Sequence, residues 1–218
     1  VKLLVDKGTN LEAQDEDGET ALNRAAERGR GEVVKLLVDK GANLEAQDNE
    51  GETALQWAAW AGHGEVVKLL VDKGANLEAQ DNEGETALQW AAWAGHGEVV
   101  KLLVDKGANL EAQDEDGMTA LHTAAGQGHG EVVKLLVDKG ANLHAQNRVG
   151  ETALHQAARE GHGEVVKLLV DKGANLDIQD KDGLTSLYKA ADWHHVEVVK
   201  LLVDGGANLD IRATGTMW

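Results

Sequence analysis

The chain has 218 residues, 38 acidic against 21 basic side chains and a formal charge of −17, with no Cys, Pro or Phe. The acidic balance argues against a nucleic-acid partner, because phosphate binding depends on Lys and Arg. The missing Cys excludes a disulfide framework and a Cys-based zinc site, and fits a reducing, intracellular and cytoplasmic setting. Apolar residues at 42 % set the chain apart from a disordered acidic tail, and no run approaches the roughly 20 apolar residues of a membrane span.

Val1 opens in the middle of a pattern. The segment Val33-Val34-Lys35-Leu36-Leu37-Val38-Asp39 recurs unchanged from Val66, Val99, Val132, Val165 and Val198, so the period is 33 residues. Val1 is equivalent to Val34, making 1–14 a truncated half repeat; six repeats follow at 15–47, 48–80, 81–113, 114–146, 147–179 and 180–212, then a tail at 213–218. Repeats 48–80 and 81–113 are identical. No basic start followed by an apolar stretch marks a signal peptide at Val1.

Within one repeat, Asp48-Asn49-Glu50-Gly51 reads as a turn with Gly at a left-handed position. Thr53 is placed to cap a short first helix. In that helix Leu55, Ala58, Ala59 and Gly62 fall on one stripe of small residues, and Gly62 ends it. A second helix runs from about Glu65 to Lys73, apolar at Val66, Val67, Leu69, Leu70 and Val71. Lys68 and Asp72 are spaced as an i,i+4 pair, and Gly74 suits the left-handed residue after the helix end. Ala75 to Asn82 reads as an extended return. Helices this short are unstable alone, so the apolar faces must be buried on neighbouring repeats.

These residues resemble the ankyrin repeat. Its pattern D-x-x-G-x-T-P-L-H-x-A-A-x-x-G-H-x-E-V-V-x-L-L is met by Asp48, Gly51, Thr53, Leu55, Ala58, Ala59, Gly62, His63, Glu65, Val66, Val67, Leu69 and Leu70, and the match spans residues 1–212. The resemblance implies an all-α ankyrin-repeat solenoid of stacked helix-turn-helix units with short hairpin or loop fingers. Two departures stand out. Ala or Ser replaces Pro at the first helical position, and the pattern's His is Asn23, Gln56, Gln89, His122, His155 and Tyr188 in successive repeats. The His hydrogen bonding of the family is therefore expected to be altered. His194 replaces the loop Gly of the last repeat, where an irregular turn is expected. The near-identity of the repeats is similar both to the arrays of fungal NLR-type receptors and to engineered ankyrin binders.

The core of the second helix does not vary, and variation gathers on the first helix and the turn. One site carries Arg24, Trp57, Trp90, Thr123, Gln156 and Lys189; a second carries Glu27, Trp60, Trp93, Gly126, Arg159 and Asp192; a third carries Arg28, Ala61, Ala94, Gln127, Glu160 and Trp193. Their i, i+3, i+4 spacing puts them on one face, which the resemblance places along a concave groove. Drift on an exposed face should yield Lys, Glu and Ala, whereas exposed aromatic residues are a liability. Trp57, Trp60, Trp90 and Trp93 are therefore expected to form an aromatic binding patch, with Trp60 and Trp93 the more exposed and Trp57 and Trp90 half-buried. Arg24, Glu27, Arg28, Gln127, Gln156, Arg159, Glu160, Lys189 and Trp193 would border it.

Two acidic ladders recur, Glu19, Glu52, Glu85 and Glu151 before the cap and Glu12, Glu45, Glu78 and Glu111 on the return. They read either as a solvated, solubilising face or as an attractive field for a cationic partner. His63, His96, His129, His162 and His195 share one loop position, a full repeat apart, which favours loop hydrogen bonding over a shared metal. No phosphate loop, metal set or catalytic pair emerges, so no cofactor and no enzymatic activity are expected. The reading is a protein or peptide recognition module whose partner is basic in character, monomeric unless its apolar start at Val1, Leu3 and Leu4 stacks end to end; the alternative is a structural, self-assembling scaffold.

Overall fold

In a computed structural model residues 10–211 are described, and among them there are twelve helices and no strand. They alternate in length. The first of each pair is short: α1 (Ala21–Glu27), α3 (Ala54–Trp60), α5 (Ala87–Trp93), α7 (Ala120–Gly126), α9 (Ala153–Glu160) and α11 (Ser186–Asp192). The second is longer: α2 (Gly31–Asp39), α4 (Gly64–Asp72), α6 (Gly97–Asp105), α8 (Gly130–Asp138), α10 (Gly163–Asp171) and α12 (Val196–Asp204). The apolar opening at Val1, Leu3 and Leu4, on which end-to-end stacking would depend, and the tail at 213–218 lie outside the described residues.

Two compact units divide the chain, Val1–Asn109 and Leu110–Trp218. In the first, hairpins α1/α2, α3/α4 and α5/α6 stack so that α1 packs on α3 and α3 on α5, while α2 packs on α4 and α4 on α6. In the second, α7, α9 and α11 form one row and α8, α10 and α12 the other. The expected stripe is the core: Leu55, Ala58 and Ala59 are sealed together with Val66, Val67 and Leu70. Ala at two adjacent positions lets the short helices approach closely, and Leu and Val of the long helices fill the space behind them.

Each expected turn glycine takes the left-handed backbone, as at Gly62 (φ 74°) and Gly74 (φ 96°). The last repeat differs from expectation: His194 adopts φ 61°, so the turn keeps the shape of its Gly counterparts and the cost falls on a side chain that rarely enters this region. The i,i+4 pair expected at Lys68 and Asp72 gives way to a contact between repeats. Lys106 Nζ lies 2.6 Å from Asp72 Oδ1, as Lys73 Nζ does from Asp39 and, in the second unit, Lys172 Nζ (2.5 Å) from Asp138. These lysines hold the Asp39, Asp72 and Asp138 carboxyls below the ordinary value. The i,i+4 spacing still brings Lys134 Nζ to 3.7 Å from Asp138 Oδ2, and Lys68 adds to the field that lowers Asp72.

Candidate functional site

The short helices are positioned by one repeated hydrogen-bond unit. Thr53 Oγ1 accepts from Gln56 N (3.4 Å), Gln56 Oε1 accepts from Thr53 N (2.8 Å), and Gln56 Nε2 donates to Glu85 O in the next repeat (2.7 Å). This is a reciprocal cap with an extra donor aimed across the stack. Asn23 donates likewise to Glu52 O (3.2 Å). At His122 and His155, Nδ1 accepts from the Thr N (3.2 and 3.1 Å) and Nε2 reaches Glu151 O (3.0 Å) and Leu184 O (3.2 Å). The expected alteration of this bonding does not occur at Asn23 or Gln56, because Asn, Gln and His each combine a local acceptor with a distant donor. Tyr188 is the exception, with its ring exposed and only its backbone N bonded to Thr185 Oγ1.

The variable face lies beside the turns. Trp57 is half-buried and its Nε1 donates to Asp48 Oδ2 at 2.8 Å; Trp90 repeats this with Asp81 Oδ2 at 2.7 Å. Trp57 and Trp60 meet edge to face with ring centres 5.8 Å apart, a favoured aromatic geometry. Trp60 is half-buried rather than freely exposed, whereas Trp93 is 46 % exposed. The two Trp pairs stand on the adjacent helices α3 and α5. The acceptors Asp48 and Asp81 escaped the sequence reading, although each sits nine residues before its Trp in every copy.

The bordering residues are placed unequally. Arg24 is half-buried among Glu19 (2.6 Å), Asp15 (3.3 Å) and Asp17 (3.5 Å); Glu27 is 3.9 Å from both Arg24 and Arg28, and Arg28 is exposed. In the second unit Gln127 and Glu160 are exposed and Trp193 is 58 % exposed, but Gln156 is buried. Gln156 Nε2 donates to Glu151 Oε2 (2.7 Å), Arg159 Nη1 lies 3.2 Å from the same oxygen, and Lys189 Nζ bridges Glu151 Oε1 (2.6 Å) and Asp180 Oδ2 (2.8 Å). Burial opposes the charge on Lys189, yet the bonds to Asp180 and Glu151 raise its pKa.

The inner acidic ladder is not a solvated face. Glu151 is only 4 % exposed and Glu52 only 9 %, because the turns of successive repeats close over them. The turns are tied by Asn49 N to Asp17 O (3.1 Å) and Asn82 N to Glu50 O (3.0 Å). Glu151 is neutralised by Arg159 and Lys189. Glu52 is not: burial, followed by the nearby Asp48, Asp81 and Glu50 carboxylates, pushes its pKa up to about 8. The outer ladder also bonds, since Glu12, Glu45, Glu78 and Glu111 accept from the backbone N of Asn43, Asn76, Asn109 and Asn142 at 2.8–2.9 Å. The loop histidines serve the scaffold as expected: Nε2 of His63, His96, His162 and His195 meets the carbonyls of Glu27, Trp60, Gly126 and Arg159 at 2.8–2.9 Å.

Among the described residues no group of three or more His, Asp or Glu could hold a metal ion, and no helix is long and apolar enough to cross a membrane. No curated protein matches the chain. The family description "Ankyrin repeats (3 copies)" matches residues 1–81, 75–147 and 140–213. Hairpins of constant shape, capped and cross-linked once per 33 residues, together with a match over nearly the whole length, place this chain in the ankyrin repeat family, whose members are in general protein-interaction modules.

Proposed function

We propose that the chain recognises a protein or peptide through the face of its short helices, centred on Trp57, Trp60, Trp90 and Trp93. The observation that carries this is the pairing of two Trp residues on each of two adjacent helices, in a scaffold whose long helices keep one unvarying apolar core. Four indoles of graded exposure, each pair beside its own acidic turn, supply large area at little entropic cost, and Trp is enriched where binding energy concentrates. Resemblance to other ankyrin arrays makes this face the wall of a concave groove. The surrounding acid favours a partner of basic character. Of the bordering residues, Arg28, Gln127, Glu160 and Trp193 are exposed enough to contribute directly, while Gln156, Arg159 and Lys189 act mainly by holding Glu151.

Replacing Trp60 and Trp93 together by Ala should weaken binding of a captured and identified partner by about a hundredfold or more, given hot-spot losses of about 2 kcal/mol or more per residue. Titration calorimetry on wild type and variant measures this. Unchanged affinity would remove the Trp face from the account.

A further inference from the structure

Building on this recognition role, we propose that Glu52, together with Asp48 and Trp57, forms a receiving site for one lysine or arginine side chain of the partner. The argument comes from comparing the same place in three repeats. In the first repeat the equivalent carboxylate, Glu19, holds Arg24 Nε at 2.6 Å. In the fifth, Glu151 holds Lys189 Nζ at 2.6 Å and Arg159 Nη1 at 3.2 Å. The chain thus has three ways of bringing a cation to this carboxylate. One is the first variable site of the same repeat (Arg24), one the second variable site of the same repeat (Arg159), and one the first variable site of the next repeat (Lys189). Around Glu52 these three positions are Trp57, Trp60 and Trp90.

Every internal source of positive charge is therefore replaced by an indole, and among the described residues no cation lies within ion-pair distance of Glu52. The carboxyl is nine-tenths buried and shares a hydrogen bond with Asp48. It lines a cleft of about 250 Å³ formed by the acidic turns of the first two repeats and Trp57. The cleft is built rather than incidental. Asp48 Oδ1 is fixed by the backbone N of Glu50 (3.1 Å) and Glu52 (2.8 Å), and its Oδ2 by Trp57 Nε1 (2.8 Å). The donors to Asp48 hold it beside Glu52, and an indole next to the two carboxyl groups can cover an alkyl stem or face a cation.

An arriving ammonium or guanidinium group takes the place of the proton that Glu52 retains. Binding therefore releases a proton and tightens as pH rises. The charged groups facing Glu52 are all acidic: Asp48 and Glu50 of its own turn, Asp81 of the next, and Asp17 and Glu19 of the previous one. Arg24, in the previous repeat, is engaged by Glu19.

The test uses the full chain and three capped tripeptides, Gly-Lys-Gly, Gly-Arg-Gly and Gly-norleucine-Gly, followed by the NMR shift of the Trp57 indole N–H. The cationic peptides should bind saturably and more tightly at about pH 9 than at about pH 6, and the norleucine peptide should not. Glu52→Gln, which mimics the protonated carboxyl and should fold, is expected to weaken the cationic peptides about tenfold or more and to abolish the pH dependence. Trp57→Arg, which supplies from within the cation that Arg24 supplies in the first repeat, is followed by the backbone N–H shift of Glu52 instead and should do the same. Equal binding of the norleucine peptide, or unchanged affinity in Glu52→Gln, would overturn the site. The Trp60/Trp93 double variant separates the two readings: if it loses the partner while Glu52→Gln keeps the cationic peptides, the cation site falls and the Trp face stands. If it keeps the partner while Glu52→Gln loses the peptides, the Trp face falls instead.

Discussion

Glu52 and Glu151 occupy the same place in the repeat, yet one keeps its proton and the other is neutralised by Arg159 and Lys189. The difference has a thermodynamic consequence. The folded-state pKa of Glu52, about 8, lies above the ordinary 4.5, so its contribution is fully present below about pH 4.5 and is lost as pH rises towards 8. His122 and His155 have the opposite sign: burial lowers their pKa below the ordinary 6.5, and Nδ1 must stay an acceptor for the Thr N–H. Their contribution is present above about pH 6.5 and is lost as pH falls below it. Urea unfolding across pH should show wild type losing on the order of 3 kcal/mol relative to Glu52→Gln between about pH 5 and pH 9. His122→Gln, a residue that already fills this place at Gln56, should reduce the acid-side loss; an unchanged acid limb would remove His122 from the explanation. Little of this was legible in the sequence. A Glu next to a cap residue reads as solvated because one repeat viewed alone does not reveal the neighbouring turn that covers it. The equivalence of Asn23, Gln56 and His122 is equally invisible until the carbonyl across the stack is located.

Elements were far more legible than contacts. The caps at Thr53 and the left-handed Gly62 and Gly74 bound helices within a residue or two of those observed, since caps and glycine act locally. The Lys68–Asp72 spacing told only part of the story: the closer partner Lys106 is 34 residues from Asp72, and spacing along one helix carries no information about it. One recurrent feature of the long helices remains improvable. Gly64 and Gly97 open α4 and α6 with ordinary negative-side backbone, and a Cβ added at either meets nothing within 4 Å. Gly64→Ala and Gly97→Ala should each stabilise the chain by about 0.5–1 kcal/mol through helix propensity and reduced freedom of the unfolded chain. Thermal unfolding of the single and double variants checks it, and a fall in midpoint would show that the helix start needs glycine for a reason outside these contacts. In the last repeat Val196 fills the same place and is 64 % exposed, consistent with open space there.

For the whole molecule, charge pairing differs between the two compact units. The first compact unit carries both Trp pairs and the unneutralised Glu52, while the second carries the network in which Arg159 and Lys189 serve Glu151. The repeat period made the architecture legible from the residues alone, since only stacking can stabilise helices of seven and nine residues. The Trp substitutions that carry the proposed recognition face were visible in the sequence, but that no cation pairs with Glu52 emerges only when three repeats are superimposed in space. With a formal charge of −17, association with a basic partner should also weaken with added salt. The central claim is that the four indoles form the contact surface. The most direct measurement is the affinity of one captured and identified partner for wild type and for a variant with Trp57, Trp60, Trp90 and Trp93 all changed to Ala, folding being verified by circular dichroism. The account predicts a loss of at least about a hundredfold; equal affinity of the two folded proteins would contradict it.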